Sequence, residues 1–102
     1  MKYELTDAFE ADWRRLSPTE RALFRRAVAD MNQAYAQRGQ ATLRRWPDHL
    51  RVKSVRGAPG VWEMTWSFAG PDGRATFEFI DVGGEPAIKW RRIGDHRIFE
   101  QP

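Results

Sequence analysis

The sequence predicts an α+β fold, in which an N-terminal helical hairpin packs on one face of a small, mainly antiparallel, twisted sheet. Three observations lead to it. Apolar residues recur every three or four positions in the first third of the chain, they alternate with polar residues in the second half, and turn sequences separate the alternating segments. No repeat or linker interrupts the 102 residues, so we expect one domain over residues 1–102.

The two helices are predicted from their start signals. Phe9, Trp13 and Leu16 predict a short first helix after Thr6, with Asp7 near its positive end. The sequence "SPTE" at 17–20 is a capping box that begins the second helix. An apolar stripe then runs from Leu23 to Tyr35 at helical spacing, and Gly39 is the predicted end. The two helices are joined at Leu16–Ser17, and because this connection is short we expect them to form a helical hairpin.

The strands are predicted from alternation and from the turns between them. "KYEL" is a short first strand, and "GAPG", "GPDG" and "VGGEP" are turn sequences. The segments between them alternate, at residues 50–55, 61–68 and 74–80. The last predicted strand begins at Ala87 and runs through "WRRIGDHRIF" at 90–99.

The predicted strands have two unlike faces. One is apolar, and we expect the helices to cover it: Trp62, Met64, Trp66, Phe68, Ala75, Phe77 and Phe79. The other is polar, and we expect it to be exposed: Glu63, Thr65, Ser67, Arg74, Thr76, Glu78, Lys89 and Arg91. Such a face is either a solvated surface or a binding site.

The composition limits which disulfides, metal sites and membrane segments the chain can form. The chain has no cysteine and two histidines, which excludes a disulfide framework and makes a zinc site unexpected. We expect no cofactor, and the family resemblance described below implies a chemistry that needs no metal. Because no secretory signal and no apolar run of membrane length is visible, we also expect a cytoplasmic protein that does not bind membrane.

Positive charge is concentrated in one part of the chain. The formal net charge is +3, and between Thr42 and Arg56 five basic residues stand against Asp48 alone. Most basic residues are arginines, whose planar fork can grip two phosphate oxygens. A general preference for arginine over lysine would explain that ratio, but it would not explain the clustering.

Four segments, in this order and spacing, carry a family resemblance: "DWRRLSPTERALF", "LRVKSVRGAPGVWEMTW", "DGRATFEF" and "WRRIGDHRIF". With them the chain resembles the RelE/ParE superfamily of toxins from bacterial type II toxin–antitoxin systems, whose fold agrees with the prediction above. The resemblance implies a ribosome-dependent, metal-independent endoribonuclease that cuts mRNA and leaves a 2′,3′-cyclic phosphate. The implied partners are a cognate antitoxin, in a hetero-oligomer, and the ribosome with its mRNA.

The resemblance also implies roles for individual residues. Arg74, which follows a hairpin glycine, would clamp the phosphate, and His96, in the segment after Gly94, would act as acid or base. Glu63 is a further candidate base, although RelE has lysines on the strand that here carries Glu63 and Thr65. The predicted RNA-binding residues are basic: Arg44, Arg45, Arg51, Lys53, Arg56, Lys89, Arg91, Arg92 and Arg97.

Two other functions stay open at this point. ParE-type toxins share the fold, but they inhibit DNA gyrase and cut no RNA. A non-toxic relative would only bind a partner, and in that case His96 would be a surface residue beside Asp95.

Overall fold

The computed structural model describes residues 1–38, 46–67 and 73–102. Its helices are α1 (Asp7–Arg15) and α2 (Pro18–Arg38), and its strands are β1 (Lys2–Leu5), β2 (Lys53–Ser54), β3 (Trp62–Thr65), β4 (Arg74–Val82) and β5 (Glu85–Gly94). Two 3₁₀ helices span Asp48–Leu50 and His96–Glu100. This is the predicted α+β architecture, and it is consistent with a RelE-like fold.

The five strands form one sheet in the order β1-β5-β4-β3-β2. β1 is parallel to β5, whereas the other three pairs are antiparallel. The sheet is therefore mainly antiparallel, as predicted, with β1 and β2 at its two edges. No helix within the described ranges is long and apolar enough to cross a membrane.

Both predicted helix starts are confirmed by their hydrogen bonds. The Thr6 hydroxyl accepts from the Phe9 N–H at 3.0 Å, and it donates to the Arg91 carbonyl at 2.7 Å, which ties the start of α1 to β5. At α2 the Glu20 N–H donates to Ser17 Oγ at 3.1 Å, and the Ser17 N–H donates to Glu20 Oε1 at 2.8 Å. These are the reciprocal bonds of a capping box.

The predicted apolar sheet face forms the core together with α2. Met64, Trp66, Ala75 and Phe77 are buried in one cluster with Phe24 and other residues of the helical hairpin. The Phe24 ring meets the ring of Trp66 at 6.4 Å and that of Trp90 at 5.1 Å between centroids, edge to face in both cases. The helices therefore cover the face that the alternation predicts.

Several predicted boundaries are different, and β4 and β5 extend to Val82 and back to Glu85 on either side of their turn. β2 has only two residues, because a 3₁₀ helix precedes it and Arg51 turns the chain in the left-handed region at φ 49°. β3 ends at Thr65, and β5 ends at Gly94. The segment "WRRIGDHRIF" is thus not one strand, since the Asp95 side chain accepts from the Arg97 N–H at 2.9 Å and caps the 3₁₀ helix after it.

The prediction that the polar sheet face is exposed is wrong for Thr65, Ser67 and Thr76, which are all buried. At Thr76 the cause is the end of the described chain, which returns to the sheet. The Thr76 hydroxyl donates to the main-chain oxygen of Pro102 at 3.4 Å. Two other predictions, the helix end at Gly39 and the side chain of Phe68, lie outside the described residues.

Replacing Phe77 with alanine should lower the free energy of unfolding by about 3–5 kcal/mol, because the ring is fully buried between the sheet and the hairpin. Urea denaturation followed by circular dichroism measures this change. Leu23→Ala is the control, since Leu23 lies on α2 with 38% of its surface exposed and should cost clearly less. Equal losses in the two variants would contradict this core.

Candidate functional site

The sheet register brings Arg74 next to the segment that contains His96. Arg74 lies opposite Gly94 on β5, and His96 begins the second 3₁₀ helix two residues later. A Cβ on Gly94 would lie 3.0 Å from Ile98 Cγ2, so glycine allows this helix to approach the end of the strand. Arg74 is partly buried and His96 is exposed. The two residues that the resemblance singles out thus lie at the same end of neighbouring strands.

Glu63 lies on the same sheet face as Arg74. Glu63 is opposite Thr76 and Arg74 is opposite Thr65, so the two side chains are separated by two positions along the strands, or about 7 Å. The Glu63 carboxylate is mostly shielded from water, and Lys53 Nζ lies 3.8 Å from it. Two of the three predicted catalytic residues, Glu63 and Arg74, therefore share the polar face, whereas His96 lies beyond the end of β5 in the second 3₁₀ helix.

Position 73, just before Arg74, is occupied by glycine because the Trp66 ring packs against it. A Cβ at this position would lie 2.3 Å from the ring of Trp66, which is buried and in contact with Phe24. No side chain fits there without displacing the indole. The start of β4, and with it the backbone of Arg74, is therefore set by the Trp66 ring.

A β-bulge places Arg91 on β5. Thr76 lies opposite Arg92 and Phe77 opposite Trp90, so Arg91 is the extra residue between these pairs. Arg91 Nη1 donates to Glu78 Oε2 at 2.8 Å, and its Nε donates to the Pro102 main-chain oxygen at 2.9 Å. The guanidinium is thus committed to contacts within the chain.

Arg92 makes a two-pronged ion pair with Asp12 of α1. Its Nε donates to Asp12 Oδ2 at 2.6 Å and its Nη2 to Oδ1 at 3.1 Å. The Ile93 N–H donates to Oδ2 at 3.1 Å, and Asp12 is only 6% exposed. Hydrogen bonds and charge from Asp12 raise the pKa of Arg92 against the opposing effect of burial.

The prediction from sequence missed this ion pair, although one signal could have revealed it. Asp12 stands three residues after Phe9 and one before Trp13, so it falls on the side of α1 that faces the sheet. A carboxylate buried in the core requires hydrogen-bond donors around it, so the position of Asp12 indicates a partner such as an arginine.

Arg97 is likewise paired, with its neighbour Asp95. The Arg97 Nη2 donates to Asp95 Oδ2 at 2.8 Å, and the Arg97 N–H donates to Oδ1. The side-chain bonds, followed by the backbone bond, lower the pKa of Asp95 to about 2. His96 lies between these two residues, and its side chain is exposed.

Of the other predicted RNA-binding residues, Lys53 contacts Glu63, and the rest lie elsewhere on the sheet and its approaches or outside the described chain. Arg44 and Arg45 fall in a segment that the structure does not describe. Arg51, Lys53 and Arg56 are exposed before β3. Lys89 is partly exposed on β5, where its neighbours in the sheet are Glu78 and Glu4.

Within the described ranges, no group of three or more histidine, cysteine, aspartate or glutamate side chains is arranged to hold a metal ion. Comparison with protein-family models, curated proteins and solved structures gives no match for this chain. The resemblance to RelE/ParE toxins therefore stays a prediction.

Replacing Asp12 with alanine should lower the free energy of unfolding by about 2–4 kcal/mol. It would leave Arg92 without its carboxylate, and the loss should be somewhat smaller than for a fully buried pair because Arg92 keeps some contact with water. Urea denaturation measures the loss. Glu85→Ala breaks the exposed pair with Lys2 and should change stability by about 0.5 kcal/mol or less. If Asp12→Ala lowered the free energy of unfolding no more than Glu85→Ala does, the ion pair between Asp12 and Arg92 would not stabilise the fold.

Arg97→Gln should return the pKa of Asp95 from about 2 toward 3.8. Because the folded-state pKa lies below the ordinary value, this interaction stabilises the fold above about pH 3.8 and is lost as the pH falls toward 2. NMR titration of the Asp95 side-chain carboxyl carbon would follow the change. Arg26→Gln, on the exposed side of α2, is the control. An unchanged Asp95 titration in Arg97→Gln would contradict the pairing.

Proposed function

We propose that this chain is the toxin of a bacterial toxin–antitoxin system and acts as a ribosome-dependent, metal-independent mRNA endoribonuclease. The observation that supports this best is the register that sets Arg74 opposite Gly94, with His96 two residues further on. Glu63 lies on the same sheet face. A cation, an imidazole and a carboxylate are the groups that RNA transesterification requires.

In the proposed reaction the ribose 2′-oxygen attacks the adjacent phosphorus. A base, either Glu63 or His96, takes the 2′-OH proton while the O2′–P bond forms. The P–O5′ bond then breaks, and the leaving 5′-oxygen takes up a proton, from His96 if Glu63 is the base or from solvent water if His96 is the base. The products are a 2′,3′-cyclic phosphate and a free 5′-hydroxyl.

Arg74 would stabilise the charge that develops on phosphorus during this attack. The guanidinium carries a fixed positive charge and can donate to two non-bridging oxygens at once. Its Nη1 also donates to the Gly73 carbonyl at 3.3 Å, which restrains the side chain near the strand end. A clamp that is positioned in advance costs little reorganisation in the transition state.

RNA outside the cleavage point would be bound by exposed cations. Arg51 and Arg56 are exposed on the approach to β3, and they carry positive charge that no ion pair within the described residues neutralises. Binding through such residues should weaken as salt rises, because each phosphate contact releases counterions. Arg91 and Arg92 would act mainly by holding the end of β5 in place.

The proposal includes a cognate antitoxin in the cytoplasm. An acidic or amphipathic segment would suit the basic surface around Arg51–Arg56, and opposite charge would speed the association at low salt. Such a segment would also cover the approach to Glu63 through Lys53, which lies on the neighbouring strand.

A second candidate is a gyrase-inhibiting toxin that binds its target without cutting RNA. The observation in its favour is that Arg91, Arg92 and Arg97 are paired with Glu78, Asp12 and Asp95. With these guanidiniums held by carboxylates of their own chain, less positive charge is left for RNA phosphates than the sequence suggests, which weakens the case for a nuclease relative to a protein-binding toxin.

The test is the cleavage of mRNA in a translating extract, with the RNA ends mapped. His96→Gln and Arg74→Ala should each slow cleavage by roughly 10²–10⁴-fold and relieve toxicity in cells. His49→Gln is the matched control, since this second histidine bonds Asp30 at 3.0 Å on another part of the molecule. Rescue of growth by the neighbouring gene would support the antitoxin.

Undiminished cleavage by both variants, with their folds intact by circular dichroism, would remove the proposed catalytic roles. Toxicity without new mRNA ends, accompanied by loss of DNA supercoiling by gyrase, would instead favour the second candidate.

A further inference from the structure

The edge strand β1 is exposed along its whole length. Within the described part of the chain it pairs only with β5, and all four of its residues are exposed. Tyr3 is 66% exposed and Leu5 is 40% exposed, which is high for large apolar side chains. An open sheet edge that carries such residues is a template for a further strand.

The hydrogen bond of Thr6 determines which backbone groups of β1 point toward β5 and which point away from the sheet. The Thr6 N–H donates to the Trp90 carbonyl at 3.1 Å, so it points toward β5. Successive residues of a strand point alternately to either side, so Glu4 and Lys2 also point inward. The N–H and C=O groups of Tyr3 and Leu5 therefore point outward from the sheet edge.

The side chains of the same two residues lie on the helix side of the sheet. Tyr3 is in register with Ile88 and Leu5 with Trp90, both of which belong to the core. They border an open cavity of about 650 Å³. Its other apolar lining residues come from the hairpin and β5: Phe9, Trp13, Phe24, Val28 and Trp90. One edge thus offers free backbone groups and apolar side chains together.

We infer that β1 is a dimerisation surface, at which a second copy of this chain adds its own β1 in antiparallel orientation about a twofold axis. The sheet would then continue from one subunit into the other. Tyr3 and Leu5 of both copies would lie side by side on the helix face, where each covers the open side of its partner's cavity.

Hydrogen bonding and charge select one register. Outward-pointing groups must meet outward-pointing groups, so Tyr3 can lie opposite Tyr3, Leu5 or Met1 of the partner subunit. The last arrangement places Lys2 opposite Lys2 of the partner subunit, which is repulsive. The second arrangement places Glu4 opposite Glu4 of the partner subunit, which is repulsive. The first places Lys2 opposite Glu4 of the partner subunit, and by symmetry does so twice. The strand is therefore complementary in charge to itself when it is centred on Tyr3.

This self-complementarity is the reason to choose a second copy as the partner. Lys2 now lies 3.3 Å from Glu85, but both side chains are mostly exposed, so Lys2 can turn to the new partner at little cost. Registers centred on Leu5 or beyond it are blocked, because they would place residues of α1, which begins at Asp7, opposite the partner strand.

Sedimentation equilibrium over a range of concentrations tests the inference with the full chain. Wild type should associate reversibly, and Glu4→Lys or Lys2→Glu should weaken association by about tenfold by placing like charges opposite each other. The double variant Lys2→Glu/Glu4→Lys should restore it. Glu100→Lys, which makes the same change of net charge as Glu4→Lys but away from β1, should behave as wild type.

Cross-linking tests the register independently. The chain has no cysteine, so Tyr3→Cys can form a disulfide only between two copies. Hydrogen-bonded pairs across antiparallel strands have Cα atoms about 5.5 Å apart, within disulfide range. Tyr3→Cys should therefore cross-link on oxidation, and Leu5→Cys should do so far less. A monomer at every concentration, or equal cross-linking at both positions, would overturn the inference, whatever the outcome of the cleavage assay.

Discussion

The contact on which the rest of the molecule depends is the burial of the Asp12 carboxylate at the junction of hairpin and sheet. A carboxylate removed from water is costly unless donors surround it, and here three donors come from two consecutive residues, Arg92 and Ile93. These bonds tie the first helix to the end of β5. They hold that end of the strand in place, where the strand register sets Gly94 opposite Arg74.

The parts of the fold that sequence predicts well are those that short-range chemistry determines. The capping box at Ser17 needs only the next three residues, and the alternation that identifies β3 and β4 is visible within a few positions. The ion pair between Asp12 and Arg92 joins residues 80 positions apart, and no local pattern relates them. The burial of Thr76 has the same cause, because its partner Pro102 comes much later in the chain.

The candidate site shows a similar division between what sequence predicts and what it leaves open. Family resemblance selected Arg74 and His96, and the register of two neighbouring strands places both at one end of the sheet. The abundance of arginine near the C-terminus, however, overstates the charge offered to a ligand. Three of these arginines face carboxylates of their own chain: Arg91, Arg92 and Arg97. Which acid meets which arginine depends on a bulge and on helix packing, and neither can be derived from counting charges.

The contact between Gly73 and the Trp66 ring bears on how variation in such proteins is interpreted. A glycine next to a proposed catalytic arginine invites the view that evolution keeps it for flexibility during the reaction. Here the neighbouring indole leaves no room for a side chain, so selection for foldability would be enough to retain it. The loss of activity in a Gly73 variant would then result from a disrupted core and not from the loss of a group that takes part in the reaction. A lower melting temperature would reveal damage of that kind. The melting temperature of an inactive Gly73 variant should therefore be measured before Gly73 is given a role in the reaction.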